Sequence, residues 1–435
     1  MGKHAATAKK SKGGVYVAPS AFRKLQQLVS QGNLEITHIL SPPRTMSTIL
    51  EVALTEAVHG QIHEPFRKIT KRNNIQRGFE TILARVEELH QIHAGPIQIV
   101  VKDIAEFTPE QWRVWMPLVQ NYVFIVREPH LQTRSLIKLS AIQALSPKNP
   151  FQIARTQLRG ILSERSLGRF FLTTLQALEF VRSKLTADVQ TGEEKIRNTL
   201  PYIENAILSF NRDTYRSLSH YLESVEEHLL ESPHKNLIIV HGLGLKMIPA
   251  ETLGRIADVL GWKDLPALGW SKSVGRKFYD QNPIGGIDKQ GVINSPWHRR
   301  AATSDHIDRI DPIRDAPPPL AWFPALIGEL ICTECLPVYT KFLLHPAVVS
   351  LPSQDQLMAP LEGLVGGERL EDINPVAAYA TAAALKVRAP DIHGQKKLDE
   401  LQLSLRRRFA ELHGKAFDII DRTVAELGQC NDKLH

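Results

Sequence analysis

The chain has 435 residues, 43% of them hydrophobic and 23% charged, with a formal net charge of +7. That length and balance suit one large domain with an extension, or two modest domains, and exclude a fibrous or wholly disordered chain. No stretch approaches the roughly 18 apolar residues of a membrane span, and the start has no hydrophobic secretory region. A soluble, cytoplasmic protein is the expectation. Cys332, Cys335 and Cys430 are an odd number of cysteines, which argues against a secreted disulfide framework.

Residues 1–20 read as a basic flexible tail, with Lys3, Lys9, Lys10 and Lys12 and no apolar run. Gly2 invites lipidation, but Ala6 stands where the myristoylation pattern needs Ser or Thr. Four short apolar runs bounded by breakers read as buried strands: Ile36 to Leu40, Ile97 to Val101, Tyr122 to Val126 and Leu237 to Val240. Helical patterns lie between them. The expected fold is therefore α/β, a central parallel sheet flanked by helices and spanning 21–345.

Residues 150–232 carry no strand signal. Leu158, Ile161, Leu162, Phe170, Phe171, Leu175, Leu178 and Phe180 follow helical spacing, so a helical insertion is expected there, placed to form a lid or an acceptor pocket. Residues 264–320, rich in Pro, Gly, Asp and Arg, read as a long loop region. "LIGELICTECLPVYTKFLL" reads as a helix interrupted near Pro337, with its two cysteines as small core residues rather than a zinc or redox pair. Residues 346–435 form a helical C-terminal extension. Its stripe of Leu398, Leu401, Leu405, Leu412, Ile420, Val424 and Leu427 favours a helix packed on the body of the protein; a homodimer through that helix is the alternative.

The segment "THILSPPRTMSTILEVALTEAVHGQIHEPF" carries the chemistry. A strand stops at two prolines, an arginine and small hydroxylated residues, then the chain reopens as a helix read as closing at His-Glu-Pro-Phe. That order suits an anion held by backbone N–H groups and a helix N-terminus. Ser47 and Thr48 would lie in the first helical turn, and Arg44 would supply a planar cation for a tetrahedral oxyanion. There is no G-x-x-x-x-G-K-[ST], so an ordinary nucleoside triphosphatase loop is not expected. In "NYVFIVREPHLQTRSLIKL" a strand ends at Arg127, and Ser135 follows eight residues later. Such spacing sets one charge and one hydroxyl on one side of a strand-to-helix turn, as an isolated phosphate requires; the plainer reading is a capped turn with a solvent ion pair.

"SPPRTMST" resembles the 5′-phosphosulfate loop of sulfotransferases, and more closely the loop of bacterial sulfotransferase-like proteins in which G-P-R-N-x-S-T is followed by D-E-P-F, here "IHEPF". Met46 stands where glycine is usual. Arg127 with Ser135 matches the family's 3′-phosphate readers, and Lys102 in "IQIVVKDIAEF" matches its strand-terminal lysine. "NLIIVHGLGLKMIPAETLGRIADVLGW" resembles the late strand and helix, with His241 and Gly242 replacing Tyr-Glu. The resemblance runs from about residue 35 to about 265, with an extension to about 345, leaving out the insertion and the C-terminal extension.

The resemblance implies a donor, 3′-phosphoadenosine-5′-phosphosulfate (PAPS), held by Arg44, Thr45, Met46, Ser47 and Thr48 at its 5′ end and by Arg127 and Ser135 at its 3′-phosphate. Cytosolic sulfotransferases place a histidine base where Ile104 stands here. The resemblance to the tyrosylprotein type instead implies Glu64, twenty residues after Arg44, as base, with Lys102 or Arg67 stabilising charge beside Arg44. The bland alternative for Glu64 is a helix-terminal acid paired with Arg67 or Lys68, and His63 is expected to face away from it.

Sulfuryl transfer to a hydroxyl or amine of a small-molecule acceptor is the implied reaction, with no metal and no nucleic acid. Arg276, Lys277, His298, Arg299 and Arg300 read as solvated surface slightly ahead of a loop closing the donor site. A kinase-like enzyme using ATP, and a sulfotransferase-like binding protein without turnover, are the alternatives.

Overall fold

A computed structural model describes residues 20–66, 74–105, 107, 109–133, 135–136, 212–263, 268–269, 307, 325–365, 374–388 and 392–431. The basic tail, the helical insertion as far as residue 211 and nearly all of the loop region 264–320 lie outside the described residues.

Five strands form one parallel sheet: β1 (Leu34–Ser41), β2 (Gly60–His63), β3 (Ile97–Ile104), β4 (Asn121–Val126) and β5 (Asn236–His241), in the order β2-β3-β1-β4-β5. The register runs Leu34 opposite Ile97 to Ser41 opposite Ile104, and Asn121 opposite Asn236 to Val126 opposite His241. The four expected strands are present, each a residue or more longer than its apolar run.

β2 is the correction. The helix after the loop, α2 (Ser47–Thr55), ends eight residues before His63, and Gly60–His63 turns into an edge strand paired with Gly60 opposite Ile99 and His63 opposite Lys102. "GQIH" has too few apolar or β-branched residues to announce a strand; tertiary packing selects it. A Cβ on Gly60 would lie 2.7 Å from Leu89 Cδ1, so glycine lets α3 (Asn74–Ile92) close on this edge.

Side chains alternate across the sheet as a two-residue period requires. Ile36, Leu40, Ile99, Val101, Tyr122, Phe124 and Ile239 enter the larger core. Ile39, Val100, Val123, Ile125, Ile238 and Val240 enter the other, against α2 and the helix Pro249–Leu260. The larger core is closed by α1 (Ser20–Ser30), α3, α4 (Pro109–Trp115) and α5 (Thr214–Glu231), and by the C-terminal helices. On the other side α6 (Gly242–Met247) and α7 (Pro249–Leu260) follow β5. A sheet covered on both faces explains why its strands are apolar along most of their length.

The C-terminal helices are α8 (Ala325–Leu330), α9 (Leu336–Leu344), α10 (Gln354–Val365), α11 (Pro375–Arg388) and α12 (Ile392–Asn431). A single π turn, Ile331–Cys335, joins α8 to α9. Pro337 has no N–H for the carbonyl four residues back, which accounts for the interruption there. Cys332 and Cys335 are unbridged and buried in that turn, as expected of small core residues.

Along α12, Leu398, Leu401, Leu405, Phe409, Phe417 and Ile420 are buried against α9 and α11, while Leu412 is 40% exposed. Between α9 and α10 the chain brushes the sheet: Val348 bridges Ile239, whose N–H donates to the Ala347 carbonyl at 2.9 Å and whose carbonyl accepts the Val349 N–H at 3.0 Å. No helix among the described residues is long and apolar enough to cross a membrane.

Candidate functional site

The chain passes from β1 outward to β2, returns through β3, and crosses β1 to reach β4. Its order therefore reverses beside β1, and a crevice opens outside the carboxyl ends of β1 and β4. The loop after β1 and the residues after β4 meet there.

The loop is shaped by two left-handed residues, Arg44 at φ 68° and Met46 at φ 73°. Left-handed backbone costs an ordinary side chain about 1–2 kcal/mol, so surrounding contacts must hold it. They do. Thr45 Oγ1 donates to the Pro42 carbonyl at 3.0 Å, and the Met46 carbonyl accepts Ile49 and Leu50 N–H at 3.0 and 3.1 Å to start α2. Left-handed residues at 44 and 46 suit a loop whose N–H groups turn toward an anion, and the N-terminus of α2 adds its dipole.

After β4, Gln132 Nε2 donates to the Pro43 carbonyl at 2.9 Å and Arg127 Nη1 to the Arg44 carbonyl at 3.4 Å, while Arg44 Nε of the loop donates to Ser135 Oγ at 3.2 Å. Tyr215 of α5 donates to the Arg127 carbonyl at 2.9 Å. Arg44, Arg127 and Ser135, distant in sequence, are thus brought to one crevice. Ser47 is buried and Thr48 half-buried in the first turn of α2, and neither Met46 nor a hydroxyl makes a side-chain cap there. Thr45 is turned inward, its hydroxyl engaged within the loop, which leaves its backbone as the part that can meet a ligand.

Beneath the loop lies a buried charged cluster. Lys102 on β3 ion-pairs with Glu64, their side chains 4% and 3% exposed. Glu64 is not a helix-terminal acid: it follows β2 with a left-handed φ of 48°, its N–H donating to the Lys102 carbonyl at 2.7 Å. His63 does not face away. Its Nε2 lies 3.6 Å from Glu64 Oε1, and its Nδ1 lies 2.6 Å from Glu51 Oε2 on α2. Arg67 and Lys68 lie outside the described residues.

Burial pushes the Glu51 carboxyl well up; Lys102 opposes that shift, and the nearby Glu64 and Asp103 carboxylates reinforce it. On β1, His38 Nδ1 accepts the Trp115 indole N–H at 3.2 Å, which leaves its proton on Nε2, 3.6 Å from Asp103 Oδ2. Burial takes the His38 pKa down to about 3, so it stays neutral.

Gly242, where the family pattern has Glu, lets the chain after β5 pack closely against the loop and the end of β4: a Cβ would lie 3.2 Å from Met46 Cε, 3.3 Å from the Val126 carbonyl oxygen and 3.6 Å from Arg127 Cβ. His241 beside it is buried and neutral, its Nε2 against the Tyr339 hydroxyl and its pKa down to about 3 through burial.

Sequence reasoning missed Gln132 and Glu51, and marked Gly242 only as a departure from the family pattern. Glu51 and His63 are twelve residues apart with no motif to pair them, and only the return of the chain through β2 does so. Among the described residues, no group of three His, Cys, Asp or Glu side chains is arranged to hold a metal ion. No protein-family model, curated protein or solved structure matches this chain.

Proposed function

We propose that the protein is a sulfotransferase that takes a sulfuryl group from PAPS and passes it to a hydroxyl or amine of a small-molecule acceptor. The observation that carries this reading is the hydrogen bond from Arg44 Nε to Ser135 Oγ, which joins the loop after β1 to the residues after β4 at one crevice. The two anion-reading elements of the sequence resemblance therefore serve one ligand that carries two separated anionic groups. The N–H groups of residues 44–48 and the Arg44 guanidinium would hold the phosphosulfate; Arg127 and Ser135 would hold the second phosphate.

A bound PAPS supplies an activated sulfuryl group whose equatorial oxygens need cations and whose acceptor needs in-line approach. Lys102, near the end of β3, and Glu64, just after β2, would face such an acceptor, and the Glu64 carboxylate would take its proton. The Lys102 ammonium is ion-paired with that carboxylate. That pairing, with both groups almost wholly buried, favours a second reading in which the crevice binds the nucleotide without turnover.

Calorimetric titration with 3′,5′-adenosine bisphosphate and with ATP plus Mg²⁺, on the wild type and Arg127→Ala, tests the proposal. Bisphosphate binding that Arg127→Ala weakens by about tenfold or more supports it, since a charge-assisted contact to phosphate contributes roughly 1.5–3 kcal/mol. Binding of ATP alone points to a kinase-like enzyme and refutes it. Turnover of PAPS in an acceptor screen, lost in Glu64→Gln, separates the two readings.

A further inference from the structure

The residue after Arg127 connects the crevice to the far end of the chain. Glu128 Oε1 accepts the His130 N–H at 2.9 Å, and Oε2 accepts the Leu131 N–H at 2.9 Å. This carboxylate therefore caps the helical residues that follow β4 and carry Gln132 and Ser135. The His130 imidazole closes on the same carboxylate. Burial alone would raise the Glu128 pKa, but His130 and the two N–H groups hold it below the usual range. Burial alone would lower His130, yet Glu128, with the Cys332 thiol adding to it, takes it up to about 9. The pair is an ion pair at neutral pH.

Asn374 arrives at this carboxylate from 246 residues further along. Its Nδ2 donates to Glu128 Oε2 at 3.3 Å, while its Oδ1 accepts the Ala377 N–H at 3.0 Å and caps α11. Glu128 and Asn374 are 1% and 3% exposed. One buried asparagine thus ties the start of α11 to the start of the helical residues after β4. Those residues in turn grip the loop through Gln132 and Ser135.

We propose that Asn374 is a positioning residue of the anion crevice: acting through Glu128, it fixes the angle at which Arg127 and Ser135 face the loop after β1. The C-terminal helices are then a working part of the site. The identity of the ligand rests on the donor reading above; the coupling does not.

Asn374→Asp separates the two halves of the link. It keeps an oxygen to cap α11 but sets a second carboxylate against Glu128. In the full-length chain, affinity for 3′,5′-adenosine bisphosphate and amide hydrogen exchange are measured on wild type and variant. The expected result is bisphosphate binding weakened roughly five- to fifty-fold, within the usual range of site-to-site coupling, with faster exchange at residues 128–136 and exchange along α11 as in wild type.

Both changes are required, and the absence of either overturns the proposal. Exchange rising equally across the chain also overturns it, because Asn374 then only supports the fold. Should the wild type bind no bisphosphate, the donor reading falls, and the exchange comparison alone decides the coupling. If Asn374→Asp does not fold, Asn374→Ser, whose shorter side chain can cap α11 without reaching Glu128, is measured in the same way and held to the same outcomes.

Discussion

Lys102→Met removes the ammonium that ion-pairs with the Glu64 carboxylate. Both side chains are at most 4% exposed, so water does not replace the lost ammonium. Removing one partner of a buried ion pair costs about 3–5 kcal/mol, most of it the penalty of leaving the other charge without its counter-ion. His63 Nε2 at 3.6 Å gives the carboxylate a polar neighbour, which sets the expected loss near the lower end, about 3 kcal/mol.

Lys102→Met with Glu64→Gln removes both charges and leaves an amide of the same shape; its expected cost is about 1–2 kcal/mol, less than that of Lys102→Met alone. Urea denaturation followed by tryptophan fluorescence reads both, since Trp112 and Trp115 are fully buried on the same side of the sheet as β3's Ile99 and Val101. Lys24→Ala, which breaks an exposed pair with Glu87, is the control and leaves the midpoint in place. The reasoning is refuted if the double variant is as unstable as Lys102→Met, or if Lys102→Met moves no midpoint.

Gly244→Ala would place a Cβ 1.6 Å from the Ser350 carbonyl oxygen, which neither backbone can relieve, and soluble folded protein should be lost on expression. Gly254→Ala, in α7 with nothing within 4 Å of the added carbon, should instead raise the urea-derived stability by about 0.5–1 kcal/mol. His38, His241 and His413 are held neutral by burial with pKa values of about 3, against 6.5 when unfolded. The unfolded chain therefore binds more protons below pH 6.5, and stability falls with acid by about 1.4 kcal/mol per pH unit for each of them. His130, raised to about 9, stabilises fully below pH 6.5, and that contribution is lost as pH rises through about 9. Urea midpoints measured across pH should peak near neutrality and fall more steeply on the acid side; a steeper alkaline flank would show that these histidines are not buried as described.

The sheet was legible where strands are apolar on both faces, as in "YVFIV" and "LIIV", because burial on both sides writes itself as a continuous hydrophobic run. β2 was not, since "GQIH" turns His63 to the Glu51 carboxylate and takes its pairing from β3. The interruption of the helix near Pro337 and most of the inward stripe of α12 could be read from local chemistry; the π form of that interruption could not. Leu412 could not: it keeps the spacing of the stripe and is nonetheless 40% exposed. At the site, strand, loop and helix order announced Arg44, Arg127 and Ser135. The contacts that make them one crevice join residues 83 to 91 positions apart, and Asn374 reaches Glu128 across 246. Distances of that kind are set by the closed fold, and no spacing rule within a segment encodes them.

The brief contact between Ile239 and residues 347–349 has a bearing on how the open side of the sheet is covered. A parallel sheet exposes unpaired N–H and C=O groups along each outer strand, and those rows invite another chain to add to them. Here β2, on one flank, has only four residues. On the other, the Ile239 N–H and carbonyl are both taken by Ala347 and Val349. A chain cut at residue 345 would keep all five strands but bare that row, and it would be expected to aggregate through β5. The passage from α9 to α10 thus acts as a selvedge, finishing the open side of the sheet before the last helices are laid over it.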